Sequence, residues 1–419
     1  MSRRAIILAV TTGFTLALAS VSLVPADADP SESRKILRID HGVPHTLTVP
    51  SGVLPDPFDR QVLLFVREVR ADNGTNDDED YRSPAAGSKV VLFVHGGTTP
   101  SVPAFDLQFK DYSWAEFLAR AGFDVFMMDH TGYGFSPRPM MTDPCNTSST
   151  DQAALIPNPL AAPCSPSYPF LLTTNQSDWD EVHTVVEYIK ALRGVERANL
   201  VGWSFGGRRV GGYAARHPEN VEKLILLAPT YNPLAPSVLP PPLPRAGSPM
   251  SLQSHRQLIN ERWDPEVQCQ NQFDQEIRPV VWNTIMAFDP LGSTWGTPAW
   301  NPIASATGGQ MRSPRFNPAF GWNKIFAGQI EAPSLIVVGQ FDGLAPGNPG
   351  PIPARNLYDD LATQNKVRIE VACASHPLVW ENQHRVLLEA SKAWFLHGSI
   401  EGVHQGILCV DADGRFTTC

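Results

Sequence analysis

Ser204 lies between two glycines, in Gly202-Trp203-Ser204-Phe205-Gly206, after the apolar run "ANLV" and before the helix-like stretch "GRRVGGYAARH". A hydroxyl held on a sharp strand-to-helix turn projects away from a sheet. Residues two positions away must then be small, because the chain folds back on itself. A serine hydroxyl is a weak nucleophile at neutral pH, so it needs a base, a residue that orients the base, and N–H donors for a developing oxyanion. The chain offers an acid and then a histidine downstream: Asp342 ends "SLIVVGQFD" and His376 ends "VRIEVACASH". In the expected chemistry Ser204 attacks, His376 takes and returns the proton, and Asp342 holds the imidazole in the required tautomer.

Upstream, "VVLFVHGGTTP" ends an apolar run in His95-Gly96-Gly97, where glycine lets a backbone N–H turn toward a pocket. Gly97 and Phe205 are therefore the expected oxyanion donors, with Thr98 as the alternate, and His95 is expected to hold the loop. The rival histidine, His384, lies inside a helical pattern and reads as a satisfied surface residue. Asp359 and Asp360 read as solvated carboxylates in mid-helix. No CxxC or HxxxH spacing supports a metal site, and nothing implies an organic cofactor.

Positioning such a set requires strands that end at the right level. Residues 61–69, 89–97, 123–132, 198–204, 223–230, 334–342 and 367–376 read as strands, most too continuously apolar to have one exposed face. Helical patterns at 113–122, 177–194, 208–218, 354–365 and 380–398 alternate with them. The expected fold class is therefore α/β, a mostly parallel central sheet flanked by helices. Two segments break the alternation: 134–176, rich in Pro, Ser and Asn, and 231–330, which carries Trp263, Trp282, Trp295, Trp300 and Trp322. Loops of that length are usually functional or disordered, and the second is expected to be a cap over a pocket for an apolar or aromatic substrate group. The acidic stretch 71–88 reads as a solvated loop.

Taken in order, the HGG loop, "DHTGYGFS" (129–136), GWSFG, "GQFDGLAP" and "ASHPLVW" resemble the α/β-hydrolase superfamily from about residue 60 to 398. The resemblance implies a nucleophile at Ser204, an acid at Asp342, a base at His376 and oxyanion donors at Gly97 and Phe205. Serine at the turn argues against the branches that use aspartate there. The HGG loop and the insertion after "LLAPT" look most like the capped esterase and prolyl-aminopeptidase branches. The function implied is a serine hydrolase that cleaves small-molecule or polymeric carboxylic esters through an acyl-enzyme. An aminopeptidase or amidase with the same triad is the alternative; it would need an acidic group for a substrate ammonium, with Glu261, Asp264 and Glu266 as candidates. A carbon–carbon bond hydrolase and a non-catalytic binding module of the same fold are further alternatives.

The whole chain has 419 residues, 33 basic and 42 acidic, for a formal net charge of -9, with no dense basic block. That balance argues against a nucleic-acid partner. The first 28 residues join Arg3 and Arg4 to an apolar stretch and Ala26-Asp27-Ala28, the pattern of a signal peptide; an uncleaved anchor is the alternative. The mature chain, without stable membrane insertion, is expected to be secreted or periplasmic, in an oligomeric state the residues do not reveal. Expected divisions are 29–230 and 331–398 for the hydrolase core, 231–330 for the cap, and 399–419 for a C-terminal disulfide hairpin. Six cysteines suit an oxidising compartment. Spacing suggests Cys409 with Cys419 across an Asp-Gly turn and Cys145 with Cys164 around the Pro-rich loop. Elimination leaves Cys269 with Cys373, two free thiols being the alternative.

Overall fold

The segment Val90–Val94 has no polar side chain, so both of its faces must be covered. Val91 and Phe93 pack into one hydrophobic cluster, and Val90, Leu92 and Val94 into another. This computed structural model describes residues 34–47, 61–72, 89–239, 243–296, 307–315, 321–343 and 352–419. Residues 1–28, expected to be a signal peptide, most of the acidic stretch and Trp300 lie outside them.

In chain order the described strands are β1 (Ile36–Thr46), β2 (Gln61–Ala71), β3 (Val90–Val94), β4 (Asp124–Met128), β5 (Ala198–Trp203) and β6 (Val221–Leu227). There follow β7 (Met250–Gln253), β8 (Met311–Pro314), β9 (Ser334–Gly339), β10 (Lys366–Val371), β11 (Gln405–Val410) and β12 (Phe416–Thr418). Ten of them form one sheet in the order β1-β2-β4-β3-β5-β6-β9-β10-β11-β12. Pairing is parallel from β4 through β11 and antiparallel at the flanks. Each parallel strand therefore points its C-terminal end to the same edge, where α/β sheets gather their chemistry.

The helix Asn175–Arg193 covers one face with Trp179, Val182, Val185, Val186 and Ile189, a spacing of three to four residues. Thr174 and Ser177 form its capping box, and Gly194, at φ 63°, ends it. On the other face lie the helices Trp114–Arg120 and His384–His397, which bury Trp114, Leu118, Trp394 and Phe395. No helix among the described residues is long and apolar enough to cross a membrane.

The two irregular segments share a small core of their own: Met141, Leu155, Leu160 and Leu172 from the first pack with Met250, Leu252 and Trp295 from the second. The Cys145–Cys164 disulfide packs against this core, and β7 pairs with β8 beside it. Cys269–Cys373 and Cys409–Cys419 are the other two disulfides, so all three expected pairs are made. Residues 405–418 do more than form a hairpin. In β11 they continue the sheet, in parallel register with β10 from Lys366↔Gln405 to Val371↔Val410.

Candidate active site

Ser204 follows β5 directly and precedes the helix Phe205–Ala214, with φ 57° and ψ -117°. This backbone is strained for a residue with a Cβ, and the surroundings enforce it. Its N–H donates to the Leu227 carbonyl at 2.9 Å, and its carbonyl accepts from Thr230 N at 3.1 Å. A Cβ on Gly202 would lie 2.4 Å from the Gly206 carbonyl oxygen, and one on Gly206 would lie 2.1 Å from that of Val94. The two glycines are therefore required by backbone contact. Side chains there would push the helix off the sheet.

Asp342 and His376 come from the loops after β9 and β10. The His376 Nδ1 lies 3.1 Å from Asp342 Oδ1, and the Asp342 side chain is buried. Trp203, next to Ser204, donates its indole N–H to the His376 carbonyl at 3.1 Å and stacks on the imidazole with ring centroids 5.9 Å apart. Burial works against a charged His376, but the charge and hydrogen bond of Asp342, with a further contribution from Glu266, raise its pKa above the ordinary histidine value. The structure thus brings the β5 turn and the Asp342–His376 pair together at the C-terminal edge of the sheet, joined through Trp203.

Glu266 occupies a place the sequence did not suggest. One carboxylate oxygen accepts from His376 N at 2.8 Å and the other from Gly343 N at 3.0 Å. Burial raises its pKa, against the lowering pull of His376. A signal for this exists in the cysteine spacing: Glu266 stands three residues before Cys269 and His376 three after Cys373. A second carboxylate, Glu381, accepts from Ser375 N (2.7 Å), Ser375 Oγ (2.5 Å), Trp263 Nε1 (3.0 Å) and Gln272 Nε2 (2.9 Å). Two carboxylates and a disulfide therefore tie residues 263–272 to the loop that carries His376.

The loop after β3 runs beside Ser204. A Cβ on Gly96 would lie 3.1 Å from the Ser204 Cβ, so Gly96 passes within contact distance of the hydroxyl-bearing residue. Thr98, at φ 70°, donates its hydroxyl to the Gly97 carbonyl at 2.5 Å. Phe205 opens its helix at the end where amides point outward. His95 is fully buried beneath, with Nδ1 2.7 Å from the Gly96 carbonyl oxygen and Nε2 accepting from His130 N at 3.2 Å. Burial, aided by the nearby Arg209 charge, holds the His95 pKa well below its usual value. Arg209 donates to the carbonyls of His95 (3.0 Å) and Gly96 (3.3 Å) and pairs with Asp178 at 3.0 Å. The glycine loop is thus fixed from below by a buried cation.

His384 is buried where a surface place was expected. It stacks on Tyr112 with centroids 4.0 Å apart and bonds the Glu381 carbonyl through Nδ1 at 2.8 Å. Asp359 is exposed, whereas Asp360 accepts from the Tyr231 hydroxyl at 2.7 Å. The tryptophans of 231–330 differ from expectation for a physical reason. Trp263, Trp282 and Trp322 spend their N–H groups on Glu381, Gly308 and Thr230 and are buried in the core, so they do not present indole faces to a ligand. Glu261 pairs with Arg256, and Asp264 pairs with Arg278. Among the described residues no cluster of three or more His, Cys, Asp or Glu could hold a metal ion.

A strained serine beside a glycine loop, with a carboxylate–imidazole pair at the same edge, is an arrangement able to perform acyl transfer. The profile of the alpha/beta hydrolase fold family matches residues 89–383. Among solved structures, the monoacylglycerol lipase of Paleococcus ferrophilus is similar, with 18% identity over 80% of this chain and 99% of that one and a TM-score of 0.44. A thermophilic esterase of Thermogutta terrifontis is also similar, with 14% identity over 85% and 99% of the chains and a TM-score of 0.48. No curated protein sequence matches the chain.

Proposed function

Because the chain belongs to the alpha/beta hydrolase fold family, we propose that it is a secreted serine hydrolase of carboxylic esters, with 231–330 as its cap. The observation that carries the reading is the strained Ser204 turn, linked through Trp203 to a His376 held by Asp342. Ser204 Oγ attacks the ester carbonyl as His376 Nε2 takes its proton. Asp342 stabilises the imidazolium through Nδ1. The negative charge on the former carbonyl oxygen falls to the N–H groups of Gly97 and Phe205. His376 then protonates the leaving alcohol, an acyl-Ser204 remains, and water activated by the same imidazole releases the acid.

Amide and peptide cleavage by the same residues is less well supported. Each carboxylate that might have held a substrate ammonium is engaged: Glu261 and Asp264 by arginines, Glu266 by two backbone N–H groups. The three disulfides suit the oxidising compartment that the reading requires. Purified protein assayed on p-nitrophenyl esters beside aminoacyl p-nitroanilides tests the proposal. Ester turnover that disappears in Ser204→Ala is expected; exclusive turnover of the anilides would overturn it.

A further inference from the structure

Among the described residues three buried arginines have an acid beside them: Arg193 has Glu68 and Asp124, Arg209 has Asp178, and Arg312 has Asp289. Arg262, by contrast an exposed residue next to those clamped onto the His376 loop, makes no ion pair among the described residues. Its side chain keeps enough exposure for a ligand to reach it. Partial burial of the side chain nevertheless lowers its pKa. The carboxylates around it in sequence are all committed elsewhere.

Its position is fixed. Gln253, on β7 and only 3% exposed, is oriented so that its oxygen accepts from Arg262 Nε and Nη1 at 3.2 Å each. The Gln253 nitrogen donates to Thr98 Oγ1 at 3.0 Å, and Thr98 in turn bonds the Gly97 carbonyl. Its charge also opposes, as a minor contribution, protonation of the His376 imidazole. A cation is thus held by a buried amide that also reaches the glycine loop, and among the described residues nothing engages its Nη2.

We propose that Arg262 recognises an anionic group, a carboxylate carried on the acyl or the alcohol portion of the ester, and so selects charged esters as substrates. This rests on the ester-hydrolase reading above. A planar guanidinium whose Nε and one Nη are held has its remaining donors pre-aimed, and a carboxylate accepts from them at little cost in side-chain ordering. The bound anion also supplies the counter-charge that the protein itself does not.

The test compares matched ester pairs on the whole protein. Mono-p-nitrophenyl glutarate is set against p-nitrophenyl pentanoate for the acyl side, and 4-carboxyphenyl butyrate against 4-methylphenyl butyrate for the alcohol side. In the wild type, kcat/KM for the charged member of one pair is expected to exceed that of its neutral partner by about tenfold or more at low salt, and the ratio should shrink as salt is added. Arg262→Gln is expected to bring that ratio to about one, chiefly through KM, and Arg262→Lys to keep part of it. A wild-type ratio near one in both pairs overturns the inference alone. So does an Arg262→Gln protein in which charged and neutral esters fall equally, since that is the signature of mere support for the Thr98 loop. Turnover of none of the four esters overturns the ester-hydrolase reading and this inference with it.

Discussion

The Glu266 carboxylate reaches the backbone N–H of His376 at 2.8 Å, while its second oxygen holds Gly343, the residue after Asp342. One side chain from residues 231–330 thus sets the spacing of the two loops that carry Asp342 and His376. It also places a second negative charge beside the imidazole.

Glu266→Gln removes that charge and keeps only one acceptor oxygen. The His376 pKa is expected to fall, so the acid limb of the kcat/KM–pH profile moves to lower pH, and kcat drops by about tenfold for the lost backbone hydrogen bond. An acid limb in the wild-type position would show that Glu266 exerts no electrostatic hold on the base.

Ser204→Ala is expected to cut kcat by about four to six orders of magnitude while leaving the melting temperature near wild type. Asp342→Asn should cost roughly four orders by disturbing the imidazole tautomer. His384→Ala, which breaks the stack on Tyr112, should act mainly on stability. Steady-state kinetics beside thermal melts decide it. A His384 variant more damaged in kcat than His376→Ala would displace His376 as the base.

His376 has a raised pKa, and in the proposed mechanism the neutral imidazole is the active form. The rise of kcat/KM with pH is therefore expected to centre above about 6.5, the unperturbed value. The stabilisation that the protonated histidine gains from Asp342 and Glu266 runs the other way. It is complete below the unfolded-state value and is lost as pH climbs through the folded one. A pH–rate profile that levels off below pH 6 contradicts the assignment.

Gly206→Ala drives a methyl group into the Val94 carbonyl, 2.1 Å away, and Gly202→Ala drives one into Gly206, 2.4 Å away. Each should destabilise by about 3 to 5 kcal/mol, among the larger effects of single substitutions, and abolish turnover. Chemical denaturation measures it; a wild-type midpoint in either variant means that the turn can relax.

Replacing Cys269 and Cys373 by serine opens a closure of 104 residues. In the chain-entropy model the loss is about 4 to 5 kcal/mol, with 2 to 4 more typical of measured bridges. Denaturation of the double variant gives the value. Because Cys373 lies three residues before His376, kcat should fall as well, and unchanged kcat would mean that Glu266 and Glu381 suffice to hold the loop.

The parallel strands were legible in sequence because burial on both faces leaves unbroken apolar runs such as "VVLFV" and "SLIVVG". The first strand escaped notice: "ILRIDHGVPHT" is a flank strand whose exposed face carries polar residues and proline. Ser204 and its glycines announce themselves because the steric demand is local. Glu266 and Gln253 do not, since each acts across a separation that only the tertiary fold closes; in sequence Glu266 is one of three candidate carboxylates for a substrate ammonium, not a support for the His376 loop. The tryptophans misled for a related reason, because a large aromatic side chain looks the same in sequence whether it lines a pocket or fills a core.

The outer strand β12 is only three residues long, and Cys409–Cys419 fastens it to β11. An open sheet invites a neighbouring molecule to add a strand of its own, and a brief, covalently tethered outermost strand is one way to refuse that invitation. Reduction of this bond would loosen β12 and bare the hydrogen-bonding row of β11, where Ile407 is already exposed. The small C-terminal bridge is in that sense a guard against self-association.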